Sequence, residues 1–215
     1  MRLKYNAPVS LTFGLICTFI LVCDQYLVPG LVQGVFTAEG ALTFQLDDFP
    51  AYIRLMTHGF GHANWDHLLQ NLTFILLLGP VLEDKYGSGR VAFMMLITTM
   101  INGLLNALFF PTELLGASGI AFMMILLTSF AGSKEKEIPI SFLAVLGLYL
   151  VKEFLNIFRN DDISQMSHIV GGVCGAIYGL FLNFFTQLPA KKGKSGDSKP
   201  APSSGGAGAK ETIIQ

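Results

Sequence analysis

Repeated apolar runs, several near the roughly 20 residues that carry a helix across a hydrocarbon core, constrain this chain more than any other feature. Six can be placed, at about 9–29, 67–83, 90–110, 118–131, 138–158 and 168–187. Inside a bilayer every backbone amide and carbonyl needs a partner within the protein, so such runs are read as helices. Composition agrees, since the 215 residues are 52% hydrophobic and only 13% charged, where a soluble domain carries about 25% charged residues. The expected fold is all-α: a polytopic membrane protein with a bundle of six transmembrane helices over residues 1–187. A net charge of −1 leaves no basic footprint for nucleic acid. The lipid bilayer is the expected surrounding.

The start, MRLKYNAPVS, has the charge of a signal peptide. The apolar run behind it is long for a signal and closes on no A-x-A site, so it is read as a retained first span. After Pro189 the sequence turns to Gly, Ser, Pro, Ala and Lys, and residues 188–215 are expected to form a disordered cytoplasmic tail. Basic residues set the orientation. With six spans, Arg2, Lys4, Lys85, Arg90, Lys134, Lys136, Lys191, Lys192 and Lys194 share one side, against Arg54 and Arg159 on the other. Both termini are therefore expected in the cytoplasm, with the long segment 30–66 outside it. A compact chain without a transit-peptide pattern leads to the expectation of a bacterial inner membrane. Cys17, Cys23 and Cys174 lie in apolar runs without CxxC spacing and are read as packing residues.

The fourth run is the odd one. Ser118 to Ala131 is 14 residues, about 21 Å of helix against a core of about 30 Å. The preceding FFPTELLGA must then dip into the membrane, where non-helical backbone is tolerated only if buried in protein or lining a watered cavity. Gly116-Ala117-Ser118-Gly119 opens this helix. It is not the G-x-S-x-G elbow, because Ile120 stands at the last glycine. On its own it reads first as an ordinary helix cap with small-residue packing.

In SHIVGGVCGAIYG, His168, Gly171, Gly175 and Gly179 fall at i, i+3, i+7 and i+11, on one narrow helical stripe. Small residues at this spacing admit a second backbone at close range, and a histidine within a membrane segment is costly enough to suggest function. In THGFGHANWDHLLQN, His67 and Asn71 are i, i+4 neighbours at the start of the second span. Together with His58 and His62 they raise a zinc reading. However, Gly59 follows His58, H-E-x-x-H is absent and carboxylate partners are sparse, so neither metal nor cofactor is expected. Asn71-Leu72-Thr73 is a sequon inside an apolar helix and is set aside.

These features in this order resemble the rhomboid intramembrane serine proteases. The resemblance covers roughly residues 50–180 and rests on GASG opening a fourth span, His168 with Gly171 and Gly175 in a sixth, and His67-x-x-x-Asn71 opening a second. His58-x-x-x-His62, Glu83 ending the second span and Gly87-Ser88-Gly89-Arg90 opening the third add to it. Two positions depart: Ile53-Arg54 replaces the usual Trp-Arg pair, and Phe122 replaces the tyrosine often found four residues after the nucleophile. The resemblance implies a Ser118–His168 dyad, an oxyanion site of Asn71 and His67 assisted by the Ser118 amide, and close packing at Gly116, Gly119, Gly171 and Gly175. It implies hydrolysis of single-pass transmembrane protein substrates near the outer face. Two other classes stay open: a catalytically inactive relative that binds or chaperones membrane proteins, and a small transporter, against which the lack of an evident internal repeat counts.

Overall fold

A computed structural model of the chain describes residues 5–131, 137–156 and 165–185. Its helices are α1 (Pro8–Tyr26), α2 (Leu31–Val35), α3 (Phe49–Thr57), α4 (Trp65–Tyr86), α5 (Ser88–Phe109), α6 (Ser118–Thr128), α7 (Ile140–Asn156) and α8 (Gln165–Phe185). A single 3-10 turn, His58–Phe60, joins α3 to α4. Among the described residues the only β pairing is an isolated antiparallel bridge between Ala38 and Leu114. The proposed tail 188–215 and the connecting charges Arg159, Asp161 and Asp162 lie outside the described residues.

Helices α1 and α5, and Met166–Asn183 within α8, are long and apolar enough to cross a membrane, whereas α6 is apolar but short. A helix apolar on every side belongs at the centre of a bundle, and α6 is there. Gly119, Ile120, Ala121, Met123, Met124, Leu126 and Leu127 are all buried. It packs most extensively on α8 and next on α4. Around it, Leu15 and Phe19 of α1, Leu77 of α4 and Phe93 and Leu104 of α5 are exposed, as suits side chains facing acyl chains.

Helix ends follow from local chemistry. Asn64 caps α4 by accepting the His67 N–H at 2.9 Å, and Gly87, at φ +86, ends it. That helix runs past both ends of the expected 67–83. The Glu83 carboxylate accepts the Val9 N–H, the Ser10 N–H and the Ser10 hydroxyl at 3.1, 2.8 and 2.7 Å. It thereby satisfies orphan donors at the start of α1. Helix α6 stops short of the expected Ala131. From Ser129 to Ala131 the chain winds on through i→i−3 bonds to Leu126, Leu127 and Thr128, the tighter pattern common at helix ends. Lys85 then donates to the Phe130 and Ala131 carbonyls at 2.5 and 2.6 Å, a cation at a helix C-terminus.

Candidate active site

The site begins with backbone that has no helix to satisfy it. Between α5 and α6, residues 110–117 take most of their partners from the stretch between α2 and α4. Ala41 N–H donates to Phe110 O at 2.7 Å, and Ala38 and Leu114 exchange two bonds of 2.8 Å. Asn106 donates to Thr112 O at 2.9 Å. Gly116 N–H reaches His58 O at 2.9 Å, and Ala117 N–H reaches His62 Nε2 at 3.4 Å. Irregular backbone here thus finds its partners within the protein, although Pro111, Thr112 and Glu113 are exposed. Arg54 keeps this stretch folded by pairing with Glu39 at 2.6 Å and Asp48 at 2.7 Å, so the arginine anchors it with Ile53 in place of tryptophan.

This path delivers Ser118 as the first residue of α6. The cap position is Ala117, which makes no side-chain capping bond, so Ser118 does not serve as the helix cap. Gly116 carries φ +110, a region that favours glycine. A Cβ there would also lie 2.6 Å from His67 Nε2 and 3.6 Å from Asn71 Nδ2. Those two α4 side chains therefore border the turn that leads into Ser118. Asn71 is buried, and its Nδ2 has no hydrogen-bond acceptor. His67 is half-buried and Ser118 likewise.

From the other side comes α8. A Cβ on Gly171 would fall on the backbone of Gly119, one on Gly175 on that of Met123, and one on Gly179 on the Phe130 ring. The stripe that carries His168 thus faces α6, with the two backbones in contact one residue after Ser118 and three after His168. The His168 ring is buried and lies 4.4 Å from the Phe122 ring, tilted by 36°. A phenylalanine at that position still packs against the imidazole.

His58 and His62 have a different place from the one a zinc reading gives them. The His58 Nε2 sits 3.1 Å from Thr99 O, on α5, while its own carbonyl holds Gly116. His62 meets Phe60 O and the Ala117 amide. Among the described residues no three His, Cys, Asp or Glu side chains group as metal ligands. Burial pushes both imidazoles down to about 4, assisted at His62 by the neighbouring His67. Their i, i+4 spacing was visible in the sequence. Their use as holders of the Gly116-Ala117 backbone depends on a segment more than 50 residues away.

Residues 50–184 match the rhomboid domain family. The chain belongs to the rhomboid family. A rhomboid is a polytopic helical membrane protein, which fits the apolar helices described above. This rhomboid is similar to the rhomboid-like protein 11, chloroplastic, of Arabidopsis thaliana, at 30% identity over 152 residues, covering 69% of this chain and 51% of that one. The rhomboid protease GlpG of Yersinia enterocolitica is 23% identical over 176 residues, 79% of this chain and 61% of its own. That of Haemophilus influenzae is 20% identical over 183 residues, 82% of this chain and 92% of its own. The chain spans about half of the plant relative and under two thirds of the Yersinia one.

Proposed function

We propose that this rhomboid is an intramembrane serine endopeptidase acting through Ser118 and His168. The observation that carries the reading is the backbone contact between Gly119 and Gly171, which brings the start of α6 against the turn of α8 that holds His168. In this reading the Ser118 hydroxyl attacks the scissile carbonyl while His168 takes its proton. His168 returns that proton to the leaving amine, and water then hydrolyses the acyl-serine by the same route. In this reading the Asn71 Nδ2, buried and without an acceptor, donates to the developing oxyanion together with His67 and the Ser118 amide. No metal or cofactor enters.

The substrate is a membrane-spanning segment of a single-pass protein. A helix hides its carbonyls in i→i−4 bonds, so cleavage needs a stretch that unwinds at the outer end of the span. Both termini of the enzyme lie in the cytoplasm, and the membrane is the inner membrane of a bacterium. The names of the GlpG relatives support the proteolytic class.

Fluorophosphonate labelling of the purified protein tests the reading. Labelling of the wild type that is lost in Ser118→Ala and His168→Ala, with both variants folded, is the expected result. An unlabelled wild type, or one labelled equally after Ser118→Ala, would remove the dyad and favour a binding protein on the same frame.

A further inference from the structure

The imidazole of His62 makes two contacts, and only one tautomer satisfies both. A neutral histidine has one donor nitrogen and one acceptor nitrogen. His62 Nδ1 lies 3.3 Å from the Phe60 carbonyl, which can only accept. Nε2 lies 3.4 Å from the Ala117 nitrogen, whose N–H can only donate. The proton therefore sits on Nδ1 and the lone pair on Nε2. An imidazolium would set N–H against N–H and break the contact with Ala117.

The surroundings keep the ring neutral. His62 is 1% exposed. The titratable group against it from α4 is His67, whose ring centroid is 5.1 Å away in an edge-on arrangement. Residues 114–121, which face it from the α6 side, carry no titratable side chain, and the 3-10 turn on its other side contributes the Phe60 carbonyl and His58. Nothing anionic among these contacts favours a charged ring.

We propose that His62 is a positioning residue for the nucleophile: as its Nδ1–H tautomer it holds the Ala117 amide and so fixes the Gly116-Ala117-Ser118 backbone. This rests on the Ser118–His168 reading for its purpose. The bond takes the Ala117 N–H out of the oxyanion site. It leaves the Ser118 N–H, which at the first helical position has no intrahelical acceptor, as the backbone donor to the oxyanion. The His58 carbonyl holds Gly116 one residue earlier, so the two histidines grip successive amides. One uses its main chain and the other its ring.

Two measurements test this. In full-length Ser118→Ala protein labelled with 15N-histidine, the His62 signal, assigned by its loss in His62→Gln, should show the Nδ1–H tautomer at pH 7.5 and at pH 6. An Nε2–H tautomer, or a cation at pH 6, overturns the proposal. That measurement does not need an active enzyme. In the active protein, cleavage of a model transmembrane substrate is compared for His62→Leu and His62→Gln. Glutamine retains an acceptor for the Ala117 amide, and leucine does not. His62→Leu should lose about 10- to 100-fold in kcat with KM within about twofold, and His62→Gln should recover most of it. Equal kcat for the two variants overturns the clamp, because a role in packing alone would not distinguish them by acceptor. A wild type that neither labels nor cleaves removes the dyad instead, and the tautomer measurement still decides the clamp.

Discussion

The Asn71 side chain holds a buried amide nitrogen with no acceptor, and an unmade hydrogen bond in such a place is costly. A charge that develops only during reaction is the partner it is suited to. Asn71→Ala is therefore expected to lower kcat by about 10²–10³-fold with little change in KM, as read from initial rates on a model transmembrane substrate. A fall in apparent affinity with kcat unchanged would make Asn71 a substrate contact. Its candidacy came from its i, i+4 spacing to His67 and from the family resemblance. His168 stood out because a histidine inside an apolar run is costly, whereas the part expected of Ser118 came from the resemblance. His62 was marked in the sequence only as half of His58-x-x-x-His62: its partner is a main-chain amide that carries no sequence signal. Ring histidines seen in sequence suggest metal ligands, whereas here each ring is turned to backbone.

Between elements, the closest approach is that of α6 and α8, where glycine replaces side chains at Gly119, Gly171 and Gly175. Gly171→Val must move one helix away from the other, because its Cβ would coincide with backbone that cannot rotate aside. We expect a loss of about 1–3 kcal/mol from overpacking, seen as a lower unfolding midpoint in detergent. Fluorophosphonate labelling should fall further than stability does, since Ser118 and His168 separate. Gly147, which has open space around it, is the control, and Gly147→Ala should leave both unchanged. The glycine stripe was readable from its spacing alone, as were the long helices. The short elements between α1 and α4 were not. Helix α3 buries Ala51 and Leu55 but exposes Phe49, Tyr52, Ile53 and Met56, and at nine residues it falls far short of the apolar runs that mark the spans. The end of α6 was placed three residues late because its 3-10 finish continues the same apolar composition.

At the scale of the molecule, residues 36–64 are a brace between α5 and the backbone that carries Ser118, and the histidines of that brace are expected to make it sensitive to acid. His58 and His62 are held at about 4 chiefly by burial, against an ordinary 6.5. Unfolded chain takes up these protons near pH 6.5, and folded chain does not until about pH 4. The unfolded state therefore binds more protons between those values, so stability is complete above about 6.5 and falls as pH drops toward 4. Two such groups contribute at most on the order of 3 kcal/mol each. Of the two, the His62 ring is itself a partner of the main chain just before Ser118, whereas His58 holds Gly116 through a carbonyl that does not titrate, so it is protonation of His62 that loosens the brace where it meets α6. Thermal unfolding in detergent should show the midpoint level from pH 7.5 to about 6.5 and falling from there to pH 5. In His62→Gln the fall should be shallower, because one of the two titrating groups is gone while an acceptor for Ala117 remains. A midpoint that is flat over this range, or a slope unchanged in His62→Gln, would mean that these rings open to water and protonate without unfolding the brace.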